Sequence, residues 1–267
     1  MSGRLGPLGR FSETLKSTIG PDNHQRFRKR LLPIYSRIPR IHWSQSGEDI
    51  ILNELLPEEH GTYVDVGAAH PRLGSNTYFL YRRGWYGTLI EPNPASALTL
   101  RKARPRDRVV EAAASAKSGV TKFTIFQSDY LSSIDPCVTQ ERADAGEIVE
   151  SILEIPLITL ADLGLHASPD QPSLLSVDCE GADLEVLRGN DWTAFTPRVI
   201  CVEEPAETLT NPTEIRQLVQ DQGYRLCAHT GLSAIYTHAR SRATPRSILP
   251  KPREEIFSPE HSGNTQS

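Results

Sequence analysis

"TYVDVGAAHPRLGSNTYF", Thr62 to Phe79, begins as a nucleotide-binding turn does: apolar residues run into an acid, Asp65, and then a glycine, Gly67. A dinucleotide-binding turn would continue G-x-G-x-x-G, letting the backbone approach a pyrophosphate at a helix N-terminus. Here Gly67 is followed by Ala68, Ala69, His70 and Pro71, and the second glycine never arrives. The stretch therefore predicts a buried strand, a tight turn and a helix arranged for a ligand that has no pyrophosphate.

The same alternation of strand and helix extends on both sides. "SGEDIILNELLP" spaces Ile50, Ile51, Leu55 and Leu56 as a helix ending at Pro57. "SNTYFLYRRG" reads as a helix closed by Gly84, "YGTLIEPN" as a second strand, "PASALTLRKAR" as a second helix after the turn, and "RVVEAAAS" as a third strand. Further on, "SLLSVDCEG" is a strand feeding the helix "ADLEVLRGN", with Gly189 as a candidate C-cap. "RVICVEE" is another buried strand, and "PTEIRQLVQDQG" a helix ending at Gly223. "YRLCAHT" and "LSAIYTH" close the unit as a hairpin, so one of them is antiparallel. Between Gly119 and Leu160, "VTKFTIF" and "ILEIPLITL" form a small β insertion around a polar loop. The expected fold is α/β: a Rossmann-like, doubly wound, mostly parallel sheet with its last strands antiparallel.

At 267 residues and 38% hydrophobic composition, the chain can bury one sizeable core. Its net charge of -4 gives no reason to expect a nucleic-acid partner. Residues 1–40 carry nine Lys/Arg against two Asp/Glu, and read as a basic, poorly packed leader with one short helix around "HQRFRKRLL". That leader is either simply solvated or a peripheral contact with an acidic surface. Residues 41–240 are the expected folded unit, and 241–267, rich in Pro, Ser and charge, a mobile tail. The four cysteines show no close pairing, which suits a reducing compartment. No 18-residue apolar run and no apolar secretory segment is present, so a cytoplasmic protein without an integral membrane segment is expected.

In an open α/β sheet, ligands sit beyond the carboxyl ends of the strands. Acids finish four of the five principal strands: Asp65 on the first, Glu91 on the second, Asp178 and Glu180 on the fourth, Glu203 and Glu204 on the fifth. Glu91 lies 24 positions past Gly67, the spacing expected of an acid that accepts hydrogen bonds from a ribose diol. Small residues after the third strand, Ala112 to Ser115, leave room for a flat adenine. S-adenosyl-L-methionine has no phosphate to cradle, and one glycine suffices beside its amino-acid tail. The single glycine argues against NAD and is tolerated by the methyl donor. A non-catalytic adenosyl-binding or scaffold protein would keep Glu91 without needing the acids after the fourth strand.

"SQSGEDIIL", "YVDVGAAHP…SNTYFLYRRGWYGTLIEPNP", "LSSID" and "VDCEGADLEVLRG" together resemble the FkbM-type methyltransferases, a class I S-adenosylmethionine-dependent group with a seven-stranded sheet. The resemblance spans about Trp43 to Glu204 and implies methyl transfer, usually to a hydroxyl of a sugar, glycan or secondary metabolite. It implies that Asp65, Gly67 and Ala68 stand at the methionine end of the cofactor, Glu91 at the ribose, and Asn93 and Ala113 near the adenosine. Gln45 and Asn76 match the "SQ" and "SNT" positions, close to the cofactor. Asp178 and Glu180 match a "DxEG" motif, after which Asp183 stands where the family often has Glu.

A hydroxyl nucleophile must lose its proton, and Asp178 and Glu180 are the candidate bases, with Asp178 favoured because the following helix N-terminus stabilises the charged form of Glu180. His70 is a third candidate, balanced against a structural role in its loop. No spacing dedicated to a metal is present, and none is assigned. Ser132 and Ser133, in "SDYLSSIDP", are placed on the acceptor-side wall or as turn caps. Trp85 reads as a core or loop anchor. The acceptor is a small molecule or glycan whose shape nothing in the sequence determines, and the oligomeric state is open.

Overall fold

The computed structural model describes residues 42–127, 131–204 and 213–241. The expected leader and its helix, and the tail beyond Ser241, lie outside these residues.

Helix α1 (Glu48–Leu55) precedes β1 (Thr62–Val66), α2 (Tyr78–Arg82), β2 (Tyr86–Ile90), α3 (Pro94–Ala103), β3 (Arg108–Val110), β4 (Ala113–Ala114) and β5 (Gly119–Phe126). Then come α4 (Pro136–Asp144), β6 (Val149–Ile158), β7 (Ser173–Val177), α5 (Asp183–Arg188), β8 (Val199–Glu203), α6 (Glu214–Asp221), β9 (Tyr224–His229) and β10 (Ser233–His238). A seven-stranded sheet runs β3-β2-β1-β7-β8-β10-β9, and a three-stranded sheet runs β4-β6-β5. Pairing is parallel from β3 across to β8, while β10 is antiparallel to both β8 and β9. This is the expected doubly wound, mostly parallel α/β sheet, antiparallel at one end and accompanied by a small β insertion.

The central strands are buried on both sides and alternate strictly between two cores. Val64, Val66, Leu175, Val177, Ile200 and Val202 face one core, which α5 and α6 close with Val186, Leu187 and Val219. Tyr63, Leu174, Val199 and Cys201 face the other, closed by Leu52 and Leu55 of α1, Leu80 and Tyr81 of α2, and Leu100 of α3. Each fully buried Leu or Ile contributes about 1.5–3 kcal/mol through apolar burial. Trp85 is fully buried in the second core and donates its indole N–H to the Glu58 carbonyl (3.0 Å), so it is an anchor.

Three local expectations are corrected. "RVVEAAAS" is not one strand: β3 pairs with β2 in the large sheet and β4 pairs with β6 in the small one. The chain leaves one sheet for the other at Glu111–Ala112, so the alanines that follow sit at the seam between sheets. Second, the polar loop of the insertion contains α4, which Asp135 caps by accepting N–H bonds from Cys137 and Val138 with Pro136 in the first turn. No residue of α4 is buried, and that lack of an apolar stripe hid it. Third, Gly189 ends α5 without a left-handed cap (φ -79°). A Cβ there would lie 2.1 Å from the Ser115 carbonyl oxygen, so close packing explains this glycine.

Candidate active site

A cleft with about 890 Å³ of space opens beyond the carboxyl ends of β1, β2 and β7, against the small sheet. Eight of the expected site residues line it: Gln45, Gly67, Ala68, Glu91, Asn93, Ala113, Asp178 and Glu180. Asp65, Asn76 and His70 do not.

The turn after β1 is built by backbone geometry. Gly67 and Ala68 both donate N–H bonds to the Ile90 carbonyl, at 3.0 and 3.3 Å, which folds the chain over the end of β2. Gly67 has φ +79°, and a Cβ on it would fall 1.8 Å from the Asp178 carbonyl oxygen. The glycine is thus demanded by the crossing of two backbone segments, whatever ligand lies beside it. Ala69 also takes a left-handed conformation (φ 40°), which aims its N–H at Glu91 Oε2, 2.7 Å away. Glu91 Oε1 accepts the N–H of Asn93, also at 2.7 Å. The Glu91 carboxylate, only 4% exposed, is therefore held in one orientation by two backbone donors. Asn93 caps α3 by accepting from the Ala95 N–H (3.0 Å). Ala112, Ala113 and Ala114, at the seam between sheets, give the opposite wall its flatness, backed by Phe123.

Beneath this turn lies a polar network that sequence reading missed. Arg104 is fully buried and donates to Asp107 (2.7 Å), Tyr63 (2.8 Å) and Thr77 (2.9 Å). The Thr77 hydroxyl donates in turn to Asp65 (2.5 Å). Burial pushes the Asp65 carboxyl up, and the Arg104 guanidinium and the Thr77 and Ser176 hydroxyls oppose that. Asp65 thus ties β1 to the entry of α2 and does not line the cleft. Asn76 points the same way, into the sheet, with its amide on Ser176 Oγ (3.3 Å) and the Cys201 thiol (3.8 Å). His70 accepts the N–H groups of Arg72 and Leu73 on Nδ1, at 3.1 and 2.9 Å, and so pins its own turn. Arg104 carried no usable signal, because "RKARPRD" reads as a solvated helix end. Gln45 reaches the cleft because Ser44 pairs with Gly74 as an isolated bridge, and Asp49 of α1 holds Ser44 Oγ (2.9 Å) and the Trp43 N–H (2.7 Å).

Across the cleft, the segment after β7 makes a hook. The Asp178 N–H extends the pairing to the Val66 carbonyl (3.0 Å), after which Glu180 (φ 53°) and Gly181 (φ 101°) turn left-handed. Asp183 holds the hook from inside, accepting the N–H of Cys179 (3.1 Å) and of Gly181 (3.3 Å). From outside, the insertion clamps it. Ser133 donates to the Glu180 carbonyl (3.0 Å), and Arg142 of α4 pairs with the Glu180 carboxylate. A Cβ on Gly181 would come 2.8 Å from Val138. The Ser132 hydroxyl accepts the Phe126 N–H (3.3 Å), and both serines line the cleft.

The hook is electrostatically unlike the turn. Burial first, then the charges of Glu203, Glu180, Asp65 and Glu48, push Asp178 up to about 7. Asp183 is pushed up to about 7 by burial and by Asp178, and Glu203 to about 7 by burial and by Asp183 and Glu180, against the pull of Arg142. Burial raises the Cys179 thiol well above its ordinary value, so it is a packing residue. Among the described residues, no group of three or more His, Cys, Asp or Glu is placed to hold a metal ion, and no helix is long and apolar enough to cross a membrane.

The family model of the methyltransferase FkbM domain matches residues 65–226. No curated protein matches the chain. Similar solved structures include a TehB-like S-adenosylmethionine-dependent methyltransferase from Corynebacterium glutamicum (11% identity, 82% of this chain and 100% of that one, TM-score 0.38). A precorrin-6y C5,15-methyltransferase from Geobacter metallireducens is 14% identical over 72% of this chain and 87% of its own, with TM-score 0.38. An O-methyltransferase from Bacillus cereus, in complex with S-adenosylhomocysteine, is 9% identical over 85% and 96%, with TM-score 0.34.

Proposed function

This chain belongs to the FkbM family of class I S-adenosylmethionine-dependent methyltransferases, and from that premise we propose that it methylates a hydroxyl of a sugar, glycan or secondary metabolite. The observation that carries the reading is Asp178, a carboxyl that lines the cleft and is pushed up to about 7 by burial and neighbouring acids. A base that changes protonation near neutrality suits a hydroxyl, which is a poor nucleophile until its proton is removed.

The residues present fit the donor. Glu91 lines the cleft with a carboxylate held in one orientation at the end of the second strand, the alanine wall leaves space for a flat ring, and the turn at Gly67 and Ala68 presents backbone without side-chain bulk. When bound, S-adenosylmethionine supplies a methyl group on a positively charged sulfur. Glu91 would hold the ribose end, Gln45 and Ala68 would border the amino-acid tail, and Asn93 and Ala113 would flank the adenosine. Asp178 accepts the acceptor's hydroxyl proton, and general-base help of this kind contributes roughly 10²–10⁴-fold. Positioning supplies much of the remainder, because an in-line displacement needs its reactants held close and aligned. Ser132 borders the acceptor side of the cleft, while the buried Ser133 hydroxyl, held by the Glu180 carbonyl and the Asp135 N–H, fixes the hook that carries Glu180.

Calorimetry with S-adenosylmethionine, S-adenosylhomocysteine and NAD tests the cofactor assignment: the first two bind, and binding of NAD alone would overturn it. Screening glycan and metabolite fractions with radiolabelled donor tests the reaction. Labelled methyl ethers form with the wild type and fall steeply with Asp178→Asn, whereas equal labelling by both removes Asp178 as the base.

A further inference from the structure

The acids on the carboxyl edge of the large sheet divide by whether anything donates to them. Asp65 has Thr77, Glu91 has two backbone N–H groups, and Glu48 has the Ser46 N–H (2.9 Å) and the Thr230 hydroxyl (2.7 Å). Glu180 is paired with Arg142, Asp183 holds the N–H groups of Cys179 and Gly181, and Glu204 is buried against Arg216, Thr213 and Tyr236. Two carboxyls on this edge, Asp178 and Glu203, have no side-chain hydrogen bond or ion pair among the described residues.

These two are neighbours by register. Strands β7 and β8 pair in parallel with Val177 opposite Val202, so the next residues along each strand are Asp178 and Glu203. Both follow residues that face the core under α5 and α6, so both side chains turn to the opposite face. Adjacent strands lie about 4.8 Å apart, which brings the two carboxyls within strong mutual influence. Like charges at such spacing do not both ionise readily, and their protons come off in steps that belong to the pair. Asp178 lines the cleft and Glu203 does not.

We propose that Glu203 is a positioning residue for Asp178, the two carboxyls forming a proton-sharing pair that makes Asp178 the base toward the acceptor hydroxyl. The proposal rests on the hydroxyl-methylation reading above. At neutral pH the pair holds one proton. As the new C–O bond forms and the C–S bond breaks, leaving its electrons on sulfur, the hydroxyl proton passes to Asp178. The pair then holds two protons and returns one to solvent. Other charged groups bear on the pair from each side: Glu180 and Arg142 from the hook and α4, Asp183 from α5, Asp65 from β1 and Glu48 from α1. Arg142 offsets Glu180, its direct partner, which leaves Glu203 as the largest charge acting on Asp178.

The test is a carbon-13 NMR titration of side-chain carboxyls in the full-length protein. In the wild type Asp178 protonates near neutrality; in Glu203→Gln its midpoint falls by about one pH unit or more, as loss of an adjacent like charge requires. An unchanged midpoint overturns the pair. If Glu203→Gln does not fold, Asp178→Asn read at Glu203 gives the reciprocal measurement, with the same fall expected and the same absence fatal. In the radiolabelled transfer assay, the acid limb of the pH-rate profile moves down in Glu203→Gln, a shift that a purely structural role would not produce. S-adenosylhomocysteine calorimetry on the same variant separates the two ideas. Retained binding and transfer with an unmoved Asp178 midpoint sinks the pair and leaves the methyltransfer reading standing. Coupled titration with no labelled ether from any fraction sinks hydroxyl methylation and, with it, the base role given to the pair.

Discussion

The turn after β1 and the hook after β7 face each other across one cleft, and both end parallel strands in acids. They handle those acids in opposite ways. On the turn side, Asp65, Glu91 and Asp107 each have donors, and Arg104 supplies a buried positive charge. On the hook side, Asp178 and Glu203 have none, and their carboxyls, with that of Asp183, are raised to about 7. Satisfied polar groups rigidify a platform; unsatisfied and mutually repelling ones hold protons loosely enough to exchange them near neutrality. On the proposed reading, one side of the cleft is organised for binding and the other for proton transfer.

If that contrast is right, the platform breaks hardest at Arg104. Arg104→Met leaves Asp65 and Asp107 buried without their cation, and unfolding by denaturant should show a loss of about 3–5 kcal/mol, as for other buried pairs cut on one side. A loss under ~1 kcal/mol would mean that the network is incidental. Gly67→Ala comes next. It forces a left-handed alanine and a Cβ contact 1.8 Å from the Asp178 carbonyl oxygen, so it strains both sides of the cleft at once. A cost of at least about 2 kcal/mol is expected from the backbone and overpacking penalties together. Gly119→Ala, with nothing within 4 Å of its Cβ, is the matched control and should leave stability nearly unchanged.

Much of the platform could be read from the chain, and the reason is physical. Period-two apolar runs specify strands, and strand order carries the acid 24 residues after the turn glycine to the end of β2, where it lines the cleft. What stayed hidden depended on contacts between distant segments. Nothing in "TYVDVG" says that Asp65 faces Thr77 and Arg104 instead of a ligand, because period two assigns it only to a face of the sheet. The same limit applies to Gly67, whose obligatory partner is a carbonyl 111 positions away at Asp178. Helix α4 escaped notice because its solvated sequence has no stripe to detect, and with it went Arg142, the partner of Glu180.

A milder perturbation separates binding from proton transfer on the turn side. Glu91→Gln keeps shape but can accept only one of the two backbone N–H bonds, and it removes the charge. Affinity for S-adenosylhomocysteine should fall about tenfold or more, corresponding to about 1.4 kcal/mol or more. The pH dependence of any residual transfer should stay where it was, since the hook is untouched. A shifted pH profile would mean that the two sides are coupled.

The hook side should reveal itself in the pH dependence of stability. Asp178, Asp183 and Glu203 have folded values near 7, above the value of about 4 expected in the unfolded chain. The native state therefore binds the extra protons. Their contribution is full below about pH 4 and is lost as the pH rises through about 7. Thermal melts of the ligand-free protein should thus lose Tm between mildly acid and mildly alkaline buffer, and the Asp178→Asn, Glu203→Gln double variant should show a shallower fall. An equally steep fall in the double variant would place the repulsion elsewhere.

The smallest change in stability belongs to Arg142→Gln. The ion pair with Glu180 is partly solvated, its side chains 17% and 28% exposed, so its loss should cost about 0–1 kcal/mol. Its electrostatic consequence is larger than its energetic one, because Arg142 is the cation that lowers Glu203. Removing it leaves the Glu180 charge unopposed, which raises Glu203 further and raises Asp178 directly. The acid limb of the transfer profile should then move to higher pH, opposite to the shift expected for Glu203→Gln. A pair of variants on the same edge that shift the limb in opposite directions, with little change in melting, is what a carboxyl pair tuned by its neighbours requires. If both shift it the same way, Arg142 acts on the acceptor instead of on the pair.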